Sequence, residues 1–298
     1  MSTPDRSAPP TPSFRLETLG TLVLRGPGGS ALVADHGQQG RRLALLAVLA
    51  ASGERGCSRD RLLLLFWPDA SQQRARHSLE QFLYTTRKAM GESLFAGVNP
   101  LRLNPGIMTS DVEDFERALG GGDLEDAASL YRGPFLDGFY LSDSPEFEQW
   151  MISERARLEA AYTGTLERLA QAAEGGGDHE TAVGWWRKLC DTDSLSGRHA
   201  VGLIRALANA GDHAAALRHA EQYEHLVEQE LGASVGPEIA SLVSEIRVRA
   251  SAEPQTVRAA APNRTVRRSD ETLAPRQPPA PQRTRWSLRR SVPIAVAA

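Results

Sequence analysis

Apolar positions along the chain follow three regimes. Residues 14–34 alternate: Phe14, Leu16 and Leu19, then Leu22 and Leu24, interrupted by Gly20 and the turn Gly26-Pro27-Gly28-Gly29. A two-residue period of this kind predicts short antiparallel strands. Residues 41–90 carry helical spacing instead. Arg41 to Ser52 is almost wholly apolar after its two arginines, which predicts a buried helix. Gly53 and Gly56 separate it from a second helix. There Ser58 is the expected N-cap before Arg59-Asp60-Arg61-Leu62 to Phe66, and Pro68 stops the run. A third helix is expected from about Ser71 to Met90, closing at Gly91. Ala75, Leu79, Phe82, Leu83 and Met90 recur at helical steps and form its expected buried stripe. Leu79, Phe82 and Trp67 are assigned to the first core. Leu101-Arg102-Leu103, the turn Asn104-Pro105-Gly106 and Ile107-Met108-Thr109 then predict a compact hairpin.

The third regime, from Gly120 to residue 249, is helical throughout. Gly177-Asp178-His179 recurs as Gly211-Asp212-His213, and Leu169, Ala172 and Ala182 recur as Leu203, Ala206 and Ala216. The displacement is about 34 residues in every case, the period of tetratricopeptide helix pairs. Gly122-Asp123 followed by Ala127 echoes the same inter-helix turn. Such repeats build either a concave binding surface or a plain helical scaffold, and the sequence leaves both open. The expected fold is therefore mainly α. A winged helix-turn-helix with small β elements fills residues 13–118, and an all-α tetratricopeptide-like domain fills residues 119–249. Residues 1–12 read as a disordered arm and residues 250–298 as a Pro/Arg-rich flexible tail, because eleven of the 18 prolines lie in these two ends.

Composition narrows the function classes. The 298 residues are 41% hydrophobic and 24% charged, the balance of a soluble globular protein of about two domains. No apolar run approaches the roughly 20 residues of a membrane helix, and the first twelve residues lack the apolar centre of a signal peptide. Two cysteines, Cys57 and Cys190, do not make a disulfide framework or a Cys-rich metal site. A cytoplasmic setting is expected. The net charge of −3 divides unevenly, at +2 over residues 13–118, −11 over 119–249 and +6 over 250–298. Such asymmetry fits a chain in which one segment meets polyanions and another does not.

The third helix carries the candidate chemistry. Arg74, Arg76, His77, Gln81, Thr85 and Lys88 project away from its apolar stripe. The second helix of a helix-turn-helix lies in the major groove. Arg there reads guanine and Gln reads adenine, while Thr and Lys hold phosphate. Arg102 on the hairpin is a further candidate for DNA contact. The same residues also make an ordinary solvated helix face, and Glu80 among them opposes phosphate. No other constellation carries a reaction. Gly26-Pro27-Gly28-Gly29 lacks the Lys-Ser/Thr of a phosphate loop. His213, His219 and His225 are spaced by six and scatter around a helix rather than converging on a metal. Glu146, Glu148 and Glu154 read as a solvated acidic face, Cys57 as a packed thiol, and one ring of Trp185-Trp186 as core. Neither enzymatic activity nor a cofactor or metal is expected.

Together these residues resemble a known family. Phe66-Trp67-Pro68-Asp69, Arg74-Ala75-Arg76 and Ser78-Leu79 resemble the helix-turn-helix of bacterial activators of the Streptomyces antibiotic regulatory protein (SARP) type. Leu130-Tyr131-Arg132-Gly133-Pro134-Phe135-Leu136 resembles the opening of their bacterial transcriptional activation domain. Ser144-Pro145-Glu146-Phe147-Glu148, Trp150 and Glu154-Arg155-Ala156-Arg157-Leu158 resemble its continuation, and Glu230-Leu231-Gly232 with Pro237-Glu238 its close. The resemblance spans roughly residues 14–248. It implies an OmpR-like winged helix that binds double-stranded promoter DNA, as a homodimer on direct repeats, and helps RNA polymerase holoenzyme engage. It places the recognition helix at Ser71–Met90 and the wing at about Leu101–Thr109, with Glu80 and Thr86 departing from the usual residue types. An adaptor whose repeats bind a protein, and whose winged helix no longer reads DNA, is the rival reading; Glu80 and the modest +2 charge favour it. Arg289-Arg290 before Val292 to Ala298 leaves two readings of the tail: a basic arm, or the start of a truncated membrane anchor.

Overall fold

A computed structural model of the protein describes residues 12–33, 38–141 and 143–252. All of them belong to one compact unit, Met1–Glu253. The tail readings fall on residues outside the described ones.

The alternating segment forms β1 (Phe14–Glu17), β2 (Val23–Arg25) and β3 (Ala31–Val33), antiparallel neighbours. Leu16 pairs with Leu24, and both side chains are buried. Three helices follow as the apolar spacing predicts. In α1 (Gln38–Ser52) nine successive residues from Leu43 to Ala51 are buried, which makes it the central rod of the first core. In α2 (Arg59–Phe66) the Ser58 side chain caps the first turn by accepting from the Arg61 amide at 3.2 Å. Trp67 ends α2 and Pro68 removes the next donor. Then α3 (Gln72–Met90) buries Ala75, Leu79, Leu83 and Thr86, with Phe82, Met90 and Trp67 half-buried against the same core. Thr86 fits a buried site because its hydroxyl donates to the Phe82 carbonyl at 2.8 Å.

The expected hairpin is not the one that forms. The wing is β4 (Phe95–Ala96) paired antiparallel with β5 (Arg102–Leu103). The segment assigned as its second strand is β6 (Met108–Ser110), which joins β1 in parallel and completes a sheet of order β3-β2-β1-β6. The turn at Asn104-Pro105-Gly106 exists, with the Asn104 side chain accepting from the Gly106 amide at 3.0 Å. It redirects the chain to the open edge of β1, where burying Met108 completes the core. The wing is thus residues 95–103 rather than 101–109.

Beyond β6, α4 (Asp111–Gly121), α5 (Leu124–Leu130), α6 (Pro145–Gly175), α7 (His179–Thr192), α8 (Gly197–Asn209), α9 (His213–Leu231) and α10 (Pro237–Ala252) follow in antiparallel pairs. The repeated Gly-Asp device appears three times with one geometry. Gly122, Gly177 and Gly211 all take φ near +80°, the left-handed conformation that only glycine adopts freely. Asp178 and Asp212 then cap the next helix, accepting from Thr181 and Ala215 amides at 3.1 and 2.9 Å. Four residues on, Ala127, Ala182 and Ala216 are fully buried where paired helices approach closely.

Two apolar cores share α6. Its first half gives Phe147, Met151 and Leu158 to a core that includes α1, α2, α3 and the sheet. Its second half gives Leu166, Leu169 and Ala170 to the core of the later repeats. The first joint is aromatic: Phe66 of α2 lies 5.3 Å from Phe147, which in turn lies 5.5 Å from Trp150. In the second core Trp186 donates to Glu174 at 2.9 Å, and its ring covers Gly202 so closely that a Cβ there would lie 2.5 Å from it. Its neighbour Trp185 sits at the core's edge, with Lys188 over its ring.

Candidate nucleic-acid interface

The apolar stripe of α3 holds the helix against α1 and α2 and leaves its other side to solvent. At about 100° per residue, Arg74, His77, Gln81, Tyr84 and Lys88 fall within one sector of about 80°, opposite the buried stripe. All five are exposed. Thr85 lies at the edge of that sector, half-buried, and its hydroxyl donates to the Phe82 carbonyl at 3.0 Å. Its proton is therefore already used within the helix.

Arg76 does not share the sector. It is exposed but sits on the flank that also carries Glu80 and Arg87, the latter stacked 5.6 Å over the Phe95 ring. Arg102 lies on β5 of the wing, and its guanidinium donates to the Glu54 carbonyl at 3.3 Å, turning toward the α1–α2 connection. The wing is further held by Arg59, whose guanidinium and amide bond the Val98 carbonyl and the Asn99 side chain, each at 3.1 Å. Five of the seven candidates thus converge, and Arg76 and Arg102 stand apart.

Two features of this surface escaped the sequence reading. Tyr84 is 63% exposed in the middle of the outward sector. Its position three residues after Gln81 and four before Lys88 was the available signal. Beside the sector lies a cleft of about 330 Å³ lined by Arg41, Arg42, Trp67, Ser78, Gln81 and Thr85. Here the arginines come from the first turns of α1, which the sequence reading assigned to burial alone.

The remaining candidates carry no chemistry of their own. Burial pushes the Cys190 thiol up to about 11, and burial lowers the nearby His219, so their 3.9 Å contact pairs two neutral groups. Burial likewise raises the Cys57 thiol. Glu148 accepts from the Leu141 amide and Glu154 pairs with Arg157, so these carboxylates serve helix packing. Among the described residues, no three His, Cys, Asp or Glu side chains are placed to hold a metal. None of the described helices is long and apolar enough to cross a membrane. On the repeat domain, a second cleft of about 430 Å³ opens between α6, α8 and α10, with Arg198, Arg205 and Glu238 at its rim.

A three-helix unit with a wing, joined through one long helix to stacked helix pairs, defines a winged helix-turn-helix fused to a helical-repeat body. Comparison with known proteins bears on both parts. Residues 106–247 match the family described as the bacterial transcriptional activator domain. The structure is similar to Mycobacterium tuberculosis EmbR solved in complex with a low affinity phosphopeptide, at 21% identity and a TM-score of 0.54. That match covers 80% of this chain and 66% of the EmbR chain, so this chain spans just under two thirds of its length. No curated protein matches the sequence. Residues 106–247 are thus similar to a bacterial transcriptional activator domain, and the chain shares its fold with EmbR.

Proposed function

We propose that this chain is a transcription regulator that binds double-stranded promoter DNA in a sequence-specific manner, with α3 in the major groove and the 95–103 wing beside it. The observation that carries the reading is the outward sector of α3. Arg74, His77, Gln81 and Lys88 stand exposed together, and none is held by a carboxylate among the described residues. Arg and Gln at that depth suit base edges, while Lys88 and Tyr84 suit phosphates. Residues 13–118 then serve as the DNA-reading part and residues 119–249 as the activating part. The acidic repeat body contacts RNA polymerase holoenzyme or a regulatory partner, and two copies of the chain occupy direct repeats. The protein acts by binding rather than by catalysis, in the cytoplasm.

Selection of the full chain against a random duplex library, followed by affinity measurements at several salt concentrations, tests this. A shared motif whose log affinity falls steeply with log salt is the expected result. Loss of the motif in an Arg74→Ala/Lys88→Ala variant would assign the reading to α3. No enrichment, with only weak salt-erased binding, would overturn the proposal in favour of the adaptor reading, which the exposed Glu80 favours.

A further inference from the structure

The cleft beside α3 is built from two helices, and its charge comes from the one that does not enter the groove. Arg41 and Arg42 lie in the first turns of α1, where no acidic residue is present and where a positive side chain opposes the helix dipole. The Nε atoms of both are buried and make no hydrogen bond among the described residues. Among the described residues neither guanidinium has a carboxylate partner. With no carboxylate set against them, the two guanidinium groups bring uncompensated positive charge to the lining of the cleft.

The rest of the lining says which acceptor fits. Gln81 belongs both to the cleft and to the outward sector of α3, so a ligand in the cleft lies directly beside whatever the sector reads. Thr85 has spent its proton on the Phe82 carbonyl and leaves donation to the arginines. Paired guanidinium forks match the oxygens of a phosphate. The half-buried Trp67 closes one wall. We propose that this cleft seats one backbone phosphate of the bound duplex, held by Arg41 and Arg42, and so sets the register of α3 in the groove. This rests on the DNA-binding proposal above.

The test uses the full chain and its selected duplex. An Arg41→Ala/Arg42→Ala variant is expected to bind about tenfold more weakly, with a salt slope lower by about one and an unchanged base preference. A neutral methylphosphonate at one backbone position should cost the wild type a similar factor and the variant nothing, because both remove the same contact. Arg41→Lys/Arg42→Lys should recover the salt slope and only part of the affinity. If the alanine variant fails to fold, Arg41→Gln and Arg42→Gln, which keep the stems, carry the same comparison.

A wild-type salt slope in the variant, with an unchanged methylphosphonate map, overturns the cleft proposal while Arg74-dependent binding keeps the DNA reading intact. Inorganic phosphate competing through Arg41 and Arg42, without any methylphosphonate coupling, overturns it in favour of a free anion. Absence of any selected motif overturns both.

Discussion

The carboxylate of Asp111 accepts from the backbone amides of Thr18 and Leu19 at 2.8–2.9 Å, and from the Thr18 hydroxyl at 2.7 Å. Asp111 is the first residue of α4 and only 6% exposed, while Thr18 follows directly on β1. The same stretch of chain bonds onward to the repeat body. Leu136 donates to the Thr18 carbonyl, Gly20 to that of Pro134, and Arg155 of α6 grips the carbonyls of Phe135 and Leu136. One buried charge therefore organises the seam between the sheet of the winged helix and the first helices of the repeat body.

Removing that charge leaves buried donors with no acceptor. Asp111→Ala is expected to cost about 3–5 kcal/mol, because each stranded donor retains its desolvation penalty. That corresponds to a fall in melting temperature of about 10 °C. Urea unfolding followed by tryptophan fluorescence checks the magnitude. A loss below about 1 kcal/mol would show that the seam is held by the aromatic joint alone.

The outward sector of α3 divides its labour. Gln81→Ala is expected to cost about 1–3 kcal/mol and to relax preference at one base pair, as loss of a base-edge contact does. Lys88→Ala is expected to weaken all sequences alike and lower the salt slope by about one. Arg76→Ala, on the flank, is expected to leave base preference unchanged. Binding selections repeated with the three variants compare these patterns directly, and a shifted motif for Arg76→Ala would return it to the reading face.

Close packing against an aromatic ring makes Gly202 irreplaceable. A Cβ there would lie 2.5 Å from ring carbons of Trp186, so Gly202→Ala is expected to destabilise by about 1–3 kcal/mol. In a Trp186→Leu background the same substitution should cost much less, since the clash partner is gone. Equal costs in both backgrounds would place the strain elsewhere.

The cap at Asp178 predicts a pH dependence. The hydrogen bonds from Thr181 hold the Asp178 carboxyl below its ordinary range. A lowered folded-state value means that the stabilisation is present above the unfolded value of about 3.9 and is lost as pH falls through the folded one. Wild type should therefore melt higher than Asp178→Ala near neutral pH, and the gap should close below about pH 4. Melting curves from pH 7 to pH 3 measure it; a gap constant across that range would assign the effect to helix propensity.

Local rules made much of the fold legible. Ser58, Pro68, Gly91 and the Gly-Asp turns mark helix ends because caps and breakers act through a few neighbouring atoms. Nine consecutive buried residues in α1 follow from a segment with no polar face after Arg42. The outward sector of α3 is readable from its period, which also sets Arg76 on the flank, apart from Tyr84, whose aromatic character resembles core until the opposite stripe is seen to be full.

Strand partners were not legible in the same way. Phe95–Ala96 is too short to show alternation, so the partner of Arg102–Leu103 was assigned to the next apolar run, Ile107–Thr109. The choice of β1 as the partner of Met108–Ser110 depends on an open edge supplied by residues almost a hundred positions away. The cleft likewise needs Arg41 and Arg42 of α1 to meet Gln81 and Thr85 of α3.

By itself, then, the sequence determined helix positions, caps, the repeat period and the exposed basic helix, because each rests on contacts between residues close in the chain or on a recurring motif. Only the tertiary structure decided which strands pair, that Arg102 turns toward the α1–α2 connection, that Asp111 joins sheet to helices, and that two α1 arginines open beside α3. These depend on long-range closure, in which one edge, one buried charge or one gap is satisfied by whichever distant residue packing brings to it.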